Sequence, residues 1–214
     1  ADTRGHGGFP EYLSRNLDNG KCDVVMDMPY GNGEELTTKP YYISSYVFVF
    51  KKDKGYDIQN MDSPDLRKLK VGYEGDTPAE AGLQLRGMLM KSKSFDVGDE
   101  SGASPRSMLE AVQNGSVDVM ITWQPAIGAF LKDFPELTTV SLPNTRAVGS
   151  PEMYSFPMSM AVRKGNDALR EKLDAVISAQ KGQLTDVLHQ HGVQLFGEGN
   201  GGGGGGAPGQ MANL

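Results

Sequence analysis

One phrase occurs twice in this chain, and it restricts the fold more than any other feature. Apolar residues recur at helical spacing at Phe9, Leu13 and Leu17, Asn19-Gly20 stops the helix, and Cys22-Asp-Val-Val-Met26 follows as a short apolar strand. The same words return at Met108, Leu109 and Val112, with Asn114-Gly115 as the stop and Val117-Asp-Val-Met-Ile121 as the strand. Both copies read Asn-Gly-x-x-Asp-Val. The second helix also carries a start signal, Ser104 as N-cap with Pro105 at the first helical position. A helix, a glycine stop and a buried strand make half of a βαβ unit. The repetition predicts an α/β protein with two lobes, each a mixed sheet flanked by helices.

Between the copies lies Leu36 to Phe50, LTTKPYYISSYVFVF, a polar and aromatic loop that runs into an alternating strand. Tyr46, Val47, Phe48, Val49 and Phe50 are of the β-branched and aromatic types that suit a pleated, packed surface. We read the stretch as a cleft-lining loop feeding a strand that leads from one lobe to the other. Its apolar run falls short of the about 20 residues a membrane helix needs. The second lobe opens with a strand at Leu69 to Tyr73 and a tight turn from Glu74 into a helix. Thr77 with Glu80 reads as a capping box and Pro78 sits where a helix tolerates proline, while Gly82 and Gly87 weaken that helix unless they permit close packing. A short helix follows from Ala126 to Leu131, then strands at Pro135 to Leu142 and at Phe156 to Val162. Helices from Asp167 to Ala179 and from Leu184 to His191 complete the chain, the last closed by Gly192. The division expected is residues 1–52 and 144–196 for lobe 1, 53–143 for lobe 2, and a flexible glycine-rich tail at 197–214.

Several function classes are disfavoured. The net charge of −6 and the scattered lysines and arginines argue against nucleic acid, which needs a clustered positive surface. Cys22 is the only cysteine, so no disulfide forms within the chain. His189 and His191 point about 200° apart on a helix and do not share a metal easily. His6 lies in a glycine-rich loop. Glu34-Glu35 and Asp96 with Asp99-Glu100 lack the spacing of a calcium or lanthanide loop. No nucleophile–base arrangement is readable, so we expect no catalytic activity, metal or cofactor. Nothing from Ala1 to Phe9 has the apolar core of a signal peptide, and Arg4-Gly-His-Gly-Gly-Phe9 leads straight into a helical pattern.

The candidate site follows from where ligands bind in open α/β sheets, beyond the carboxyl ends of the strands. The first copy places Asp27, Met28 and Tyr30 there, and the second places Trp123 and Gln124. Asp27 can take an ammonium or a partner's arginine, or simply serve a turn. Thr38, Lys39, Tyr41 and Tyr42 offer hydroxyls, a charge and two aromatic faces of the kind favoured in interface anchors. Thr77 joins the set because amides at a helix start can hold a carboxylate, although capping alone explains it equally well. Arg86 and Arg106 stand on helices of the second lobe in no evident carboxylate-binding motif, which weakens an amino-acid receptor reading. The 11 methionines, Met153 and Met158 among them, suit adaptable surfaces but also cores.

The order of lobe, crossing, lobe, crossing and return helices resembles that of the type II periplasmic solute-binding proteins, with crossings near Phe50 to Lys54 and Asn144 to Phe156. Gly20-Lys-Cys-Asp-Val-Val-Met26, Leu36-Thr-Thr-Lys-Pro-Tyr-Tyr42 and Tyr46-Val-Phe-Val49 are similar to the methanol-dehydrogenase-associated MxaJ/XoxJ branch of that family, nearest its XoxJ members. The likeness runs from about Arg4 to Val193. It implies a periplasmic accessory factor, not an enzyme, that binds a PQQ-containing, lanthanide-dependent methanol dehydrogenase of the XoxF type and assists its maturation or activation. The alternative on the same fold is the receptor of an ABC importer, with a small molecule in the cleft. Family members open with a further strand, helix and strand, usually with another cysteine. The resemblance therefore implies an N-terminally incomplete lobe 1 and a Cys22 without its family partner.

Overall fold

The alternation at residues 46–50 sorts the core into two faces. Tyr46, Phe48 and Phe50 enter one apolar cluster, and Val47 and Val49 enter another. Such a strand is buried on both sides, so it lies inside a sheet rather than at its edge. The computed structural model of the protein describes residues 8–31, 35–97, 102–147 and 149–196. His6, Glu34, Asp99-Glu100 and the 197–214 segment, all considered above, lie outside the described residues, as does the side chain of Phe9.

In chain order the strands are β1 Val24–Pro29, β2 Leu36–Thr37, β3 Tyr42–Lys51, β4 Val71–Glu74, β5 Lys93–Phe95, β6 Val119–Trp123, β7 Leu137–Ser141, β8 Thr145–Ala147, β9 Ser150–Glu152 and β10 Ser155–Val162. The helices are α1 Gly8–Leu13, α2 Pro78–Leu85, α3 Arg106–Gln113, α4 Gln124–Ile127, α5 Asp167–Ala179 and α6 Lys181–Gln190. The main sheet runs β1-β10-β3-β6-β4-β5, with β2 also on β10 and β7 also on β3. It is mixed: β4 pairs in parallel with β5 and β6, and the other pairings are antiparallel. The short β8–β9 hairpin stands apart.

Strand β3 is the joint of the sheet. Tyr42 to Ser45 pair with β10, and Tyr46 to Phe50 pair with β6. The change of partner thus falls between Ser45 and Tyr46. β10 begins at Ser155, opposite Ser45, and beyond that point only β6 and β7 are available as neighbours. On the far side of the joint, Met158 and Met160 pack with Ile177 under α5 and α6, while Ala161, Val25 and Met28 pack with Leu13 and Leu17. Burying each of these side chains larger than alanine contributes about 1.5–3 kcal/mol.

Local signals explain the boundaries. Ser104 Oγ accepts the Arg106 N–H at 3.2 Å, as an N-cap two residues ahead should. The expected capping box at Thr77 is displaced. Thr77 donates its hydroxyl to the Glu74 carbonyl at 2.6 Å, and Glu80 accepts from the Asp76 N–H at 2.7 Å instead of from Thr77. The displacement follows from the turn, where Asp76 takes a left-handed φ of 58°. Gly82 does permit close packing: a Cβ there would stand 2.2 Å from the Tyr154 hydroxyl. Gly192 closes α6 against the backbone of Gly128, where a Cβ would stand 2.2 Å from a carbonyl oxygen. Among the described residues no helix is long and apolar enough to cross a membrane.

Candidate functional site

The first strand end is shaped by a bulge. β1 and β10 slip register between Val25 and Met28, and the additional residue, Asp27, has φ of 61°. Aspartate tolerates that region better than most residues, and bulges recur where a side chain must be re-aimed. The Asp27 carboxylate meets two consecutive tyrosines. Tyr41 and Tyr42 both donate their hydroxyls to Asp27 Oδ1, at 2.7 and 3.1 Å. Their rings lie 5.0 Å apart and tilted, buried against Met158 and Met160. Burial first, and then the charge of Asp27, hold both phenols well above the usual tyrosine range, so they remain donors.

A second polar group forms where β4 and β6 end. Thr122 donates to Glu74 Oε2 at 3.3 Å, and the Thr77 hydroxyl donates to the Glu74 carbonyl at 2.6 Å. Burial first, and then the Glu74 charge, raise the Tyr46 phenol above its normal range. Trp123 lies opposite Tyr46 in the ladder, and Phe156 meets the Tyr46 ring edge-on at 6.5 Å. Trp123 and Phe156 are partly buried and pack against both the Tyr46 cluster and the Tyr41–Tyr42 cluster. They bridge the two strand ends.

The remaining sequence-predicted residues are not all part of this surface. Met28 is fully buried beside Leu13 and Leu17. Thr38 is fully buried, accepting the Met160 N–H at 3.0 Å and donating to the Lys39 carbonyl. Gln124 is also buried and clamps the segment after α6, donating to the Gly192 carbonyl and accepting the Gln194 N–H. These three do structural work in this conformation, because each satisfies backbone groups or fills a core that its strand neighbours close over. Lys39 is exposed, its N–H on Asp174 at 2.7 Å, and Tyr30 is 53% exposed. Glu74, Tyr46 and Phe156 were not picked out from sequence. The signal available was position: Glu74 is the last residue of a parallel strand.

Arg86 is fully engaged. It forms paired bonds to Asp62 at 2.8 Å each, and further bonds to Glu152 at 2.7 and 2.9 Å, with its side chain 5% exposed. Tyr154 adds a hydroxyl to Glu152 at 2.8 Å. The guanidinium hydrogen bonds hold the carboxyls of Asp62 and Glu152 below their usual range. Arg106 is held by Asp133 and Glu110. Beside the end of β6, an open groove of about 480 Å³ is lined from residues 128–132 and 189–194, the latter held by Gln124. Among the described residues no three His, Cys, Asp or Glu side chains gather as a metal site.

No protein-family model matches the chain. It is 29% identical over 201 residues to Protein MoxJ of Methylorubrum extorquens, covering 86% of this chain and 66% of MoxJ. It is 28% identical over 165 residues to ABC transporter arginine-binding protein 1 of Escherichia coli, covering 75% of this chain and 61% of that protein. The chain thus spans about two thirds of the length of these relatives. Among solved structures it superposes on MxaJ from Methlophaga aminisulfidivorans with a TM-score of 0.78 at 24% identity, over 86% of this chain and 80% of that one. On the periplasmic binding protein XoxJ from Methylobacterium extorquens the TM-score is 0.64 at 23% identity, over 91% and 93%. The superposition is tighter on the former and the mutual coverage fuller on the latter. The fold is that of the type II periplasmic binding proteins, as the order of elements predicts.

Proposed function

Because the chain belongs to the MxaJ/XoxJ family, we propose that it is a periplasmic accessory factor of methanol oxidation that binds a quinoprotein methanol dehydrogenase and assists its maturation or activation. The dehydrogenase we favour is the PQQ-containing, lanthanide-dependent XoxF type. In this reading the chain performs no catalysis of its own, and the partner is held at the strand ends around Trp123, with Asp27, Tyr30 and Lys39 at the rim.

The observation that carries this over a receptor for free amino acids is the closure of Arg86. A receptor needs an arginine open to a ligand carboxylate. Here the guanidinium is occupied by Asp62 and Glu152 and sealed by Tyr154. A second reading, a receptor for an importer, is favoured by the 28% identity to an arginine-binding protein.

Native mass spectrometry of the protein isolated from its own periplasm separates the two. We expect a complex with a dehydrogenase subunit; a small adduct released on unfolding, with no such complex, would establish the receptor. In the complex, Trp123→Ala is expected to weaken association by a factor of about 10–30, the range of an aromatic anchor. Unchanged affinity would move the interface away from the strand ends.

A further inference from the structure

We propose that Asp27 is a preformed anchor for a guanidinium group, an arginine side chain presented by the protein partner. The proposal rests on the reading that the chain engages a partner at these strand ends, and it names the chemistry of one contact.

Asp27 differs from the ion-paired carboxylates in what holds it. Asp62 and Glu152 share Arg86, Asp133 faces Arg106, and Asp174 faces Arg170. Each of those charges is neutralised by a neighbour. Asp27 is held by two neutral phenols on a single oxygen, Oδ1, and among the described residues it enters no ion pair. Two donors fix the carboxylate's orientation without cancelling its charge. The second oxygen, Oδ2, accepts no bond from them.

The backbone is committed to the same end. A left-handed, bulged residue is an unfavourable conformation that the surroundings must impose, and such outliers concentrate where a side chain is aimed for use. Here the bulge turns an acidic side chain onto Tyr41 and Tyr42 at the exposed end of the strand. The neighbours on β1 and just after it, Met26 and Tyr30, are 49% and 53% exposed.

Charge and shape together select the occupant. A rigid anion on a chain of net charge −6 attracts a cation. The exposed methionine and tyrosine near it in sequence, Met26 and Tyr30, offer apolar surface that suits a planar, weakly hydrated guanidinium and its aliphatic stem better than a compact ammonium, which keeps its water. A metal ion is not the match, because one carboxylate supplies too few ligands.

The test uses the full chain and n-butylguanidine, whose only charged group is a guanidinium, as the probe. Titrating the ¹⁵N-labelled protein should give saturable amide shifts at Asp27, Tyr41 and Tyr42 that weaken with added salt. Asp27→Asn keeps the tolerance for the left-handed backbone and an acceptor for the tyrosines but removes the charge. It should raise the apparent Kd by about tenfold or more, as expected for a charge-assisted bond. Tyr30→Ala, at an exposed position with no core role, should raise it about two- to threefold by removing stacking area. Absence of saturable shifts at these amides, or equal shifts in Asp27→Asn, overturns the proposal. The two readings fail separately: butylguanidine binding at Asp27 without a dehydrogenase complex defeats the proposed function alone. A complex that wild type and Asp27→Asn form equally well defeats this anchor alone.

Discussion

Residues 19–28 and 114–123 start from the same words and arrive at different structures. The turns share their glycines and two backbone bonds, although the first ends a π-helical turn at Ser14–Asp18 and the second an α-helix. Gly20 and Gly115 take φ of 73° and 78°, and their N–H groups donate to Leu17 and Val112 at 3.1 and 3.2 Å. Two residues on, Cys22 donates to the Asn16 carbonyl and Val117 to the Ala111 carbonyl, at 3.1 and 3.2 Å. Beyond the aspartate the copies part. β6 runs between β3 and β4 and is covered on both faces, so Ile121 is wholly buried. β1 pairs with β10 alone among the described residues, and Met26, the position equivalent to Ile121, is 49% exposed. Without a second neighbour the strand also accommodates the bulge at Asp27. Local residues dictate the helix stop and the entry into the strand; the strands alongside decide what the strand becomes.

The comparison can be broken at matched positions. Ile121→Ala leaves a cavity in a closed core and should cost about 2–5 kcal/mol, whereas Met26→Ala should stay within about 0.5 kcal/mol. Urea denaturation of both variants measures the difference directly. A large loss at Met26 would mean that something covers β1 in the intact protein. A smaller contrast is expected at the shared aspartate. Asp118 accepts the Lys70 N–H at 2.9 Å and ties β6 to the start of β4, so Asp118→Ala should cost about 1 kcal/mol. Asp23 is 80% exposed and stands 3.6 Å from Arg163, so Asp23→Ala should be nearly silent. Equal losses would show that the first copy also uses its aspartate to bind the sheet.

How much was legible follows the same division. The helix stops at Asn19-Gly20 and Asn114-Gly115, the strand at Phe48, and the placement of Trp123 at a strand end were all readable, because each depends on a few adjacent residues. The displacement of the capping box was not, since it depends on Asp76 adopting a left-handed turn. Nor was the burial of Met28, Thr38 and Gln124. Each satisfies or fills something contributed by distant chain, respectively Leu13 and Leu17, Met160, and Gly192 with Gln194. The pairing of Tyr41 and Tyr42 with Asp27 depends on a bulge in another strand, and the engagement of Arg86 depends on Glu152, far along the sequence. Adjacent letters announce turns and strands; partners across the sheet are invisible to them.

The smallest expected effect concerns what the copies share. Gly20→Ala and Gly115→Ala each force a side chain into the left-handed region, at about 1 kcal/mol. Space is not the obstacle at either site: a Cβ at Gly115 would meet nothing within 4 Å, and one at Gly20 would lie 3.5 Å from the Arg163 guanidinium, an ordinary contact. The two losses should therefore agree to within a few tenths of a kcal/mol, although one turn precedes a buried central strand and the other an exposed one. Agreement would show that the turn's energy is set by its own residues. A Gly20→Ala loss well above that of Gly115→Ala would place the excess on Arg163, whose Nε donates to the Leu17 carbonyl at 2.9 Å and closes the same turn from β10's end. The double variant Gly20→Ala with Arg163→Ala would then lose no more than the sum of the two single losses, which thermal unfolding of all three variants would measure.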